Sequence, residues 1–431
     1  MIADSDQKTM RARARAPGML RGFICLAAAA ALLVLGANAR ADAGVSEGFA
    51  RFVAELWPDA QKMGVSRATF DRAFRGVTPD LSIPDLVLPG QTKPPGGQAE
   101  FTKTPAEYLN LGHLNRLADQ GRKLAGRYHD TLTAVEKRFG VPGATVLAIW
   151  GRETAFGTYK LPHYAIRVLA TQAYVGRRKD LFRKELLYAL KMLEDGVRTV
   201  DTMKSSWAGA MGLTQFMPSE FYTSATDMDG DGRKDMWNSV PDALGSAAQQ
   251  LQQKGWVAGL QWGYEVRLPK SASCLWQGED NAKTVAEWAK AGVVPARGGS
   301  FPANAANARA WILTPAGAYG PIFLVHENFM VIKRYNFSDL YAVFVGHLSD
   351  RIAGGGDFAT PWANIRQLPT AGIEEIQQRL KSRGYPVDKI DGKIGVNTRS
   401  LIGQYQQRNH LAVDCWPTEA VLAHMRTKSG T

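Results

Sequence analysis

The chain has 431 residues, 45% of them hydrophobic and 21% charged, which excludes a disordered or fibrous polymer and leaves room for two or three packed domains. The net charge of +12 favours an anionic neighbour, whether nucleic acid, a membrane surface or an acidic cell-wall polymer, without choosing among them. Part of that charge lies at the N-terminus, where Lys8, Arg11, Arg13, Arg15, Arg21 and Arg40 face only Asp4 and Asp6. There the basic "RARARAPGMLR" precedes the apolar "GFICLAAAAALLVLG" and the small-residue stretch "ANARADAG". This is the order of a secretory signal peptide over residues 1–41, cut after Ala39 or Ala41. A membrane anchor is the alternative, but the apolar run falls short of the ~20 residues that span a bilayer. The expected location is the periplasm. Cys25 leaves with the signal, and Cys274 and Cys415 either bridge or remain two buried thiols.

Residues 44–352 read as one α-rich unit. "EGFARFVAELWPDAQKMG" has helical period and stops at Gly64, and "SRATFDRAFRG" is a short helix capped by Ser66. "LPGQTKPPGGQ" is a loop, and residues 105–139 form one long amphipathic pattern. A further helix starts near Pro142. "QWGYEVRLP" alternates as a strand, and residues 312–325 supply more β structure. "AGGGDFATPW" opens an interdomain linker over 353–368, followed by a small module at 369–428 with two amphipathic helices around "DKIDGKIG".

The helix from Pro142 carries the first chemical signal. Val146, Ile149 and Trp150 share a face with Glu153 in "IWGRETAFG". A carboxylate beside those residues is poorly hydrated, which favours its protonated form and suits a proton donor. A Glu paired with a buried Arg, or one turned to water, is the plainer reading. A second signal is "SSWAGAMGLTQFMPSEF", where Gly209 and Gly212 flank Gln215. Small residues there permit close approach of a ligand, or simply a tight packed turn.

These segments resemble the lytic murein transglycosylases of the membrane-bound B type. "IWGRETAFG", "GAMGLTQFMPS" and "NFMVIKRYNFSDLYAVFVGHLSDRI" occur in the family's order. The resemblance covers roughly residues 45–352. It implies a mainly α, lysozyme-like catalytic domain with a small β part, and an enzyme without a catalytic cofactor. By resemblance, Glu153 is the single acid/base. Ser206 and Gln215 contact the sugar and its N-acetyl group. Arg177 and Arg178 meet peptide or glycan, Tyr335 and Asn336 flank the cleft with Tyr341 nearby, and Tyr108 lines it. The implied reaction cleaves the β-1,4 bond from N-acetylmuramic acid to N-acetylglucosamine and closes a 1,6-anhydro ring. Ordinary glycosidases use two carboxylates, and no second acid stands in a comparable motif. A hydrolytic muramidase and a non-catalytic wall-binding protein are the alternatives.

"DMDGDGRKDMWN" has the spacing of a calcium loop, with Asp227, Asp229 and Asp231 at positions 1, 3 and 5. Gly232 makes the turn, Arg233 offers its carbonyl, and Asp235 stands at position 9. Asn238 holds the last position, where a bidentate Glu is usual, so Asp242 is a candidate assistant. An acidic turn without metal is the alternative, and the family resemblance implies a structural calcium. "IEEIQQRLKSRGYPVDKIDGKIGVNTRSLIGQYQQRNHL" resembles the peptidoglycan-binding domain 1 family, which implies a three-helix bundle whose turn is set by Asp391, Gly392 and Gly395. Expected partners are peptidoglycan glycan strands, with other cell-wall enzymes as candidates. The dispersed basic residues argue against nucleic acid, and a monomer is expected.

Overall fold

The computed structural model describes residues 45–88 and 102–427. The expected signal segment and most of the "LPGQTKPPGGQ" loop lie outside the described residues. Among those described, no helix is long and apolar enough to cross a membrane.

Helices dominate. The helix at 45–62 and Arg67–Phe74, capped by Ser66, pack on the antiparallel pair Ala165–Val175 and Lys179–Glu194. This forms one apolar core, with Leu56, Phe70, Leu169, Phe182 and Leu190 buried. A second core surrounds Gly143–Thr154, against which Leu111–Arg127, His129–Phe139 and Asp339–Ile352 pack. The amphipathic stretch 105–139 is three helices rather than one. Thr104 and Glu107 make a reciprocal cap on Pro105–Tyr108, and the Asn110 side chain caps Leu111–Arg127. A third helix starts at His129. Local caps thus interrupt a pattern that apolar spacing alone reads as continuous.

Two antiparallel sheets complete the large unit. β1 (His163–Tyr164) pairs with β2 (Lys204–Ser205). β3 (Gly263–Arg267), β4 (Lys283–Thr284), β5 (Val294–Pro295), β6 (Arg309–Leu313) and β7 (Ile322–His326) form a sheet in the order β4-β6-β7-β3-β5. Alternation divides its faces: Trp311, Leu313, Phe323 and Val325 join the Gly143–Thr154 core, while Val266, Ile312 and Leu324 pack around Trp288. Trp262, just before β3, docks the sheet on the Asp339–Ile352 helix. A Cβ on Gly346 would lie 2.4 Å from the Trp262 ring, so only glycine permits this approach. The Trp262 indole N–H donates to Asp350 Oδ2 at 2.8 Å.

The C-terminal module is built from Thr370–Ser382, Val396–Arg408 and Glu419–Thr427 around its own apolar core. Gly392 has φ +68°, and a Cβ there would strike Thr370, so its role is in the turn. The module is fastened to the large unit. Cys274 and Cys415 form a disulfide across 141 residues, which on a chain-entropy argument contributes about 5 kcal/mol. Tyr319 donates to Asp414 Oδ2 at 2.7 Å. The connecting segment is pinned too: Ala359 and Thr360 N–H groups donate to Glu265, and Phe358 stacks on His347 with ring centroids 3.8 Å apart.

Burial holds the Asp350 carboxyl up at about 7, against an ordinary 3.8, with the Trp262 N–H opposing the rise. Between those values the unfolded chain ionises while the folded one keeps its proton, so this group removes stability as pH rises through the window. Asp350→Asn is expected to raise the melting temperature relative to the parent by an amount that grows from about pH 4 to about pH 7. A gain independent of pH in calorimetry would refute the assignment.

Candidate active site

Glu153 stands on the last turn of Gly143–Thr154, a helix whose residues Thr145 to Gly151 are all buried. It therefore has no solvent stripe on which to place an acid, and its open position is the C-terminal end, where Glu153 is half-buried. The turn that follows is unusual: Ala155, Phe156 and Gly157 have φ of 47°, 57° and 79°. Two non-glycine residues in the left-handed region cost energy and persist only where packing enforces them. Here the Phe156 ring folds back onto Gly151, where a Cβ would lie 2.7 Å from Cζ, and meets Trp150 edge-on. Thr154 Oγ1 donates to Leu213 O at 2.7 Å and accepts from Gly157 N–H at 3.1 Å. Packing of Phe156 and the two bonds of Thr154 thus fix the turn that follows Glu153.

Two tyrosines meet that carboxylate's surroundings. Tyr341 Oη donates to Glu153 Oε1 at 2.5 Å. Tyr341 is buried, and burial together with the Glu153 charge holds its phenol well above the ordinary range, so it is a donor. Tyr335 stacks on Tyr341, with centroids 6.2 Å apart and planes 12° from parallel, and donates to Thr214 O at 2.6 Å. Burial, then Glu153 and Glu220, keeps its phenol protonated as well. Leu213 and Tyr335 border both large apolar cores, so Glu153 lies where the two helical lobes meet.

Gln215 follows Leu213 and Thr214 with φ 57°, its Nε2 donating to Gly212 O at 3.0 Å. The glycines of this segment serve packing: a Cβ on Gly209 would lie 2.2 Å from Leu169, and one on Gly212 2.9 Å from Met236 O. Ser206 Oγ accepts from the N–H groups of Ala208 and Ala210, which shapes its own loop. Asn336 ends the Glu327–Asn336 helix beside Tyr335.

Tyr108 is buried and accepts from Arg152 NH2 at 2.6 Å, with the guanidinium 4.9 Å from both the Tyr108 and Phe344 rings. Burial opposes the Arg152 charge, but Tyr108 and Glu153 outweigh it and favour the cation. Tyr108 thus acts on the site through Arg152. Arg177 and Arg178 both pair with Asp85, at 2.9 and 3.2 Å. Arg152 and Thr154 are site residues that motif reading passed over, although both lie inside the motif itself. Another buried acid, Glu185, accepts from the Ser219 N–H and hydroxyl and is committed to that turn.

In the acidic loop, carboxylate oxygens of Asp227, Asp229 and Asp242 lie within 4.8 Å of one another. Asp231 is not in that group: its Oδ1 accepts from Arg233 N–H. Asn238 Nδ2 donates to Asp235 Oδ2 at 2.8 Å. Asp242, 1% exposed, approaches from the next helix, Val240–Gln253.

Residues 48–350 match the transglycosylase SLT domain family, and residues 370–425 match the peptidoglycan binding domain family. The chain belongs to the transglycosylase SLT family. It is 32% identical over 228 residues to membrane-bound lytic murein transglycosylase B of Escherichia coli K12, covering 53% of this chain. The match spans 61% of that relative's length. Among solved structures it is similar to SltB3 from Pseudomonas aeruginosa in complex with NAG-anhNAM-pentapeptide. There the identity is 38% and the TM-score 0.79, with 88% of this chain and 99% of that one covered. SltB1 of the same organism is 28% identical with a TM-score of 0.57, over 71% of this chain and 98% of that one. The fold is the lysozyme-like fold of these proteins, followed by a helical peptidoglycan-binding domain.

A hydrogen bond to a charged group contributes about 1.5–3 kcal/mol, and each 1.36 kcal/mol is tenfold in rate. Tyr341→Phe is therefore expected to lower turnover about 10- to 100-fold, while Arg177→Gln changes it little. Steady-state assays on purified peptidoglycan check both. Equal effects would show that closeness to Glu153 does not govern the site.

Proposed function

We propose that the chain is a lytic transglycosylase of peptidoglycan, exported by residues 1–41 and acting in the periplasm through a catalytic unit at 44–352. A linker at 353–368 leads to a wall-binding module at 369–428. The reading rests on Glu153, a half-buried carboxylate at the junction of two lobes with one oxygen engaged by a tyrosine donor. The similar SltB3 structure holds a NAG-anhNAM-pentapeptide, which supports the same product here.

Glu153, protonated, gives its proton to the glycosidic oxygen as the muramoyl C1–O bond breaks. The substrate's N-acetyl carbonyl oxygen bonds to C1 and forms an oxazolinium. Glu153, now a carboxylate, takes the proton of the C6 hydroxyl. O6 then bonds to C1, the oxazolinium opens, and no water is consumed. Tyr341, which donates to Oε1, orients the carboxyl group that exchanges this proton. Sugar contacts fall to Gln215, Tyr335 and Asn336. Ser206 shapes the loop, and Tyr108 supports the site through Arg152.

Hard oxygen donors suit calcium, and the clustered carboxylates fit it. Asp227, Asp229 and Asp242 would hold the ion, which would tie the loop to the Val240–Gln253 helix and take part in no step.

Glu153→Gln is expected to bind the wall but lose about 10²–10⁴-fold in turnover, the usual worth of a general acid/base. Mass spectrometry of products from intact sacculi should give 1,6-anhydromuramoyl ends. Reducing muramoyl ends would establish a hydrolytic muramidase instead, and wild-type rates in Glu153→Gln would remove the assignment. Calcium added to chelator-treated protein should raise its melting temperature by linkage. Asp242→Asn should lose most of that rise, and no heat or shift in the parent protein would mean the loop binds no calcium.

A further inference from the structure

Besides the disulfide and the Tyr319–Asp414 bond, the C-terminal module meets the large unit in a buried ion pair. Asp339 opens the Asp339–Ile352 helix, just after the corner where the Glu327–Asn336 helix ends. Phe337 makes that corner at φ 58° and is 77% exposed. Lys333, on the first helix, reaches Asp339 Oδ1 at 2.7 Å. Arg399, from the C-terminal module, reaches Asp339 Oδ2 at 3.3 Å with its side chain 2% exposed. The rest of the guanidinium is engaged: Nε donates to Gln277 Oε1 at 3.1 Å and NH1 to Ile394 O at 2.8 Å. Gln277, in the large unit, also accepts from Thr314 Oγ1.

This corner carries the tyrosine pair. Tyr335 lies two residues before Phe337 and Tyr341 four after it. Ser338 caps the second helix by accepting from the Tyr341 N–H itself, at 3.3 Å. The Tyr341 backbone is thus capped by Ser338, the residue next to Asp339, and its phenol meets Glu153. A buried carboxylate that loses one of two cationic partners is left under-compensated, and it shifts, admits water or takes up a proton. At Asp339 such a movement passes directly to Tyr341.

We infer that Arg399 is a positioning residue for the reaction: through Asp339 it holds the corner that sets Tyr341 against Glu153, so the C-terminal module completes the catalytic site. The inference rests on the proposed transglycosylase function for its kinetic arm only. A module that merely anchors the enzyme to the wall has no influence on a short soluble glycan, whereas one that positions Tyr341 governs turnover of any substrate.

The test uses the full chain with a short soluble peptidoglycan oligosaccharide. Arg399→Met is expected to lower kcat about tenfold with KM changed less than twofold. Arg399→Lys, which keeps the charge, should recover most of the loss. Tyr319→Phe, which removes the Asp414 contact away from the corner, should leave kcat unchanged. Amide hydrogen exchange over residues 338–342 should quicken in Arg399→Met and not in Tyr319→Phe. Should Arg399→Met unfold the module, Asp339→Asn supplies the same comparison with Arg399 in place. Unchanged kcat and unchanged exchange in a folded Arg399→Met or Asp339→Asn chain would overturn the inference. If the parent protein forms no anhydro product, the proposed function fails, and the exchange arm still decides whether Arg399 holds the corner.

Discussion

One constraint organises the molecule: a half-buried carboxylate is carried by a helix that has no exposed face. Gly143–Thr154 runs through the main core with Thr145 to Gly151 buried, and only its last turn opens outward. Ending a buried helix there requires partners for its final carbonyls. The Ala155 N–H bonds to Gly151 O, and Thr154 bonds sideways to Leu213. The backbone strain at Ala155 and Phe156 is held by the Phe156 ring against Gly151 and Trp150. Glu153 is thus held by apolar packing on one side and meets the Tyr341 hydroxyl on the other.

The surrounding elements follow from that placement. A carboxylate between two lobes needs a wall that does not yield, and the Asp339–Ile352 helix supplies it with Tyr341. That helix is backed in turn by Trp262 of the sheet, seated over Gly346. Both tyrosines are kept as neutral donors by burial and by the Glu153 charge. The carboxyl of Glu153 is therefore walled by two phenols that hold their protons.

Much of this was legible in the sequence, for identifiable reasons. Helix starts with a capping residue, such as Ser66, and strands with clean alternation, such as that around Tyr264 and Val266, announce themselves locally. Glu153 stood out because an acid on an apolar stripe requires a reason. The actual reason differs in part: the helix is buried all round, and the acid escapes at its end. Contacts between distant segments were not legible. Nothing in "GRRKDLF" shows that Arg177 and Arg178 answer to Asp85, and nothing near Tyr108 shows that it serves Arg152. The pairing of Cys274 with Cys415 depends on a docking of two modules that spacing does not encode. Glycine was readable as a requirement but not as to its cause, which at Gly209 is Leu169 rather than a ligand.

The way the C-terminal module is joined changes what such a module can contribute. A flexible tether extends reach and raises effective concentration without fixing direction. Here the glycine-rich connection is instead laid on Glu265 and His347, and the module is closed by a disulfide and a buried ion pair. Reach is given up for orientation. A ligand held by this module would be presented to the large unit in a fixed orientation. The ion pair that helps to hold the module, Arg399 with Asp339, also lies at the start of the helix that carries Tyr341, so the joint between the two units and the wall beside Glu153 share one residue.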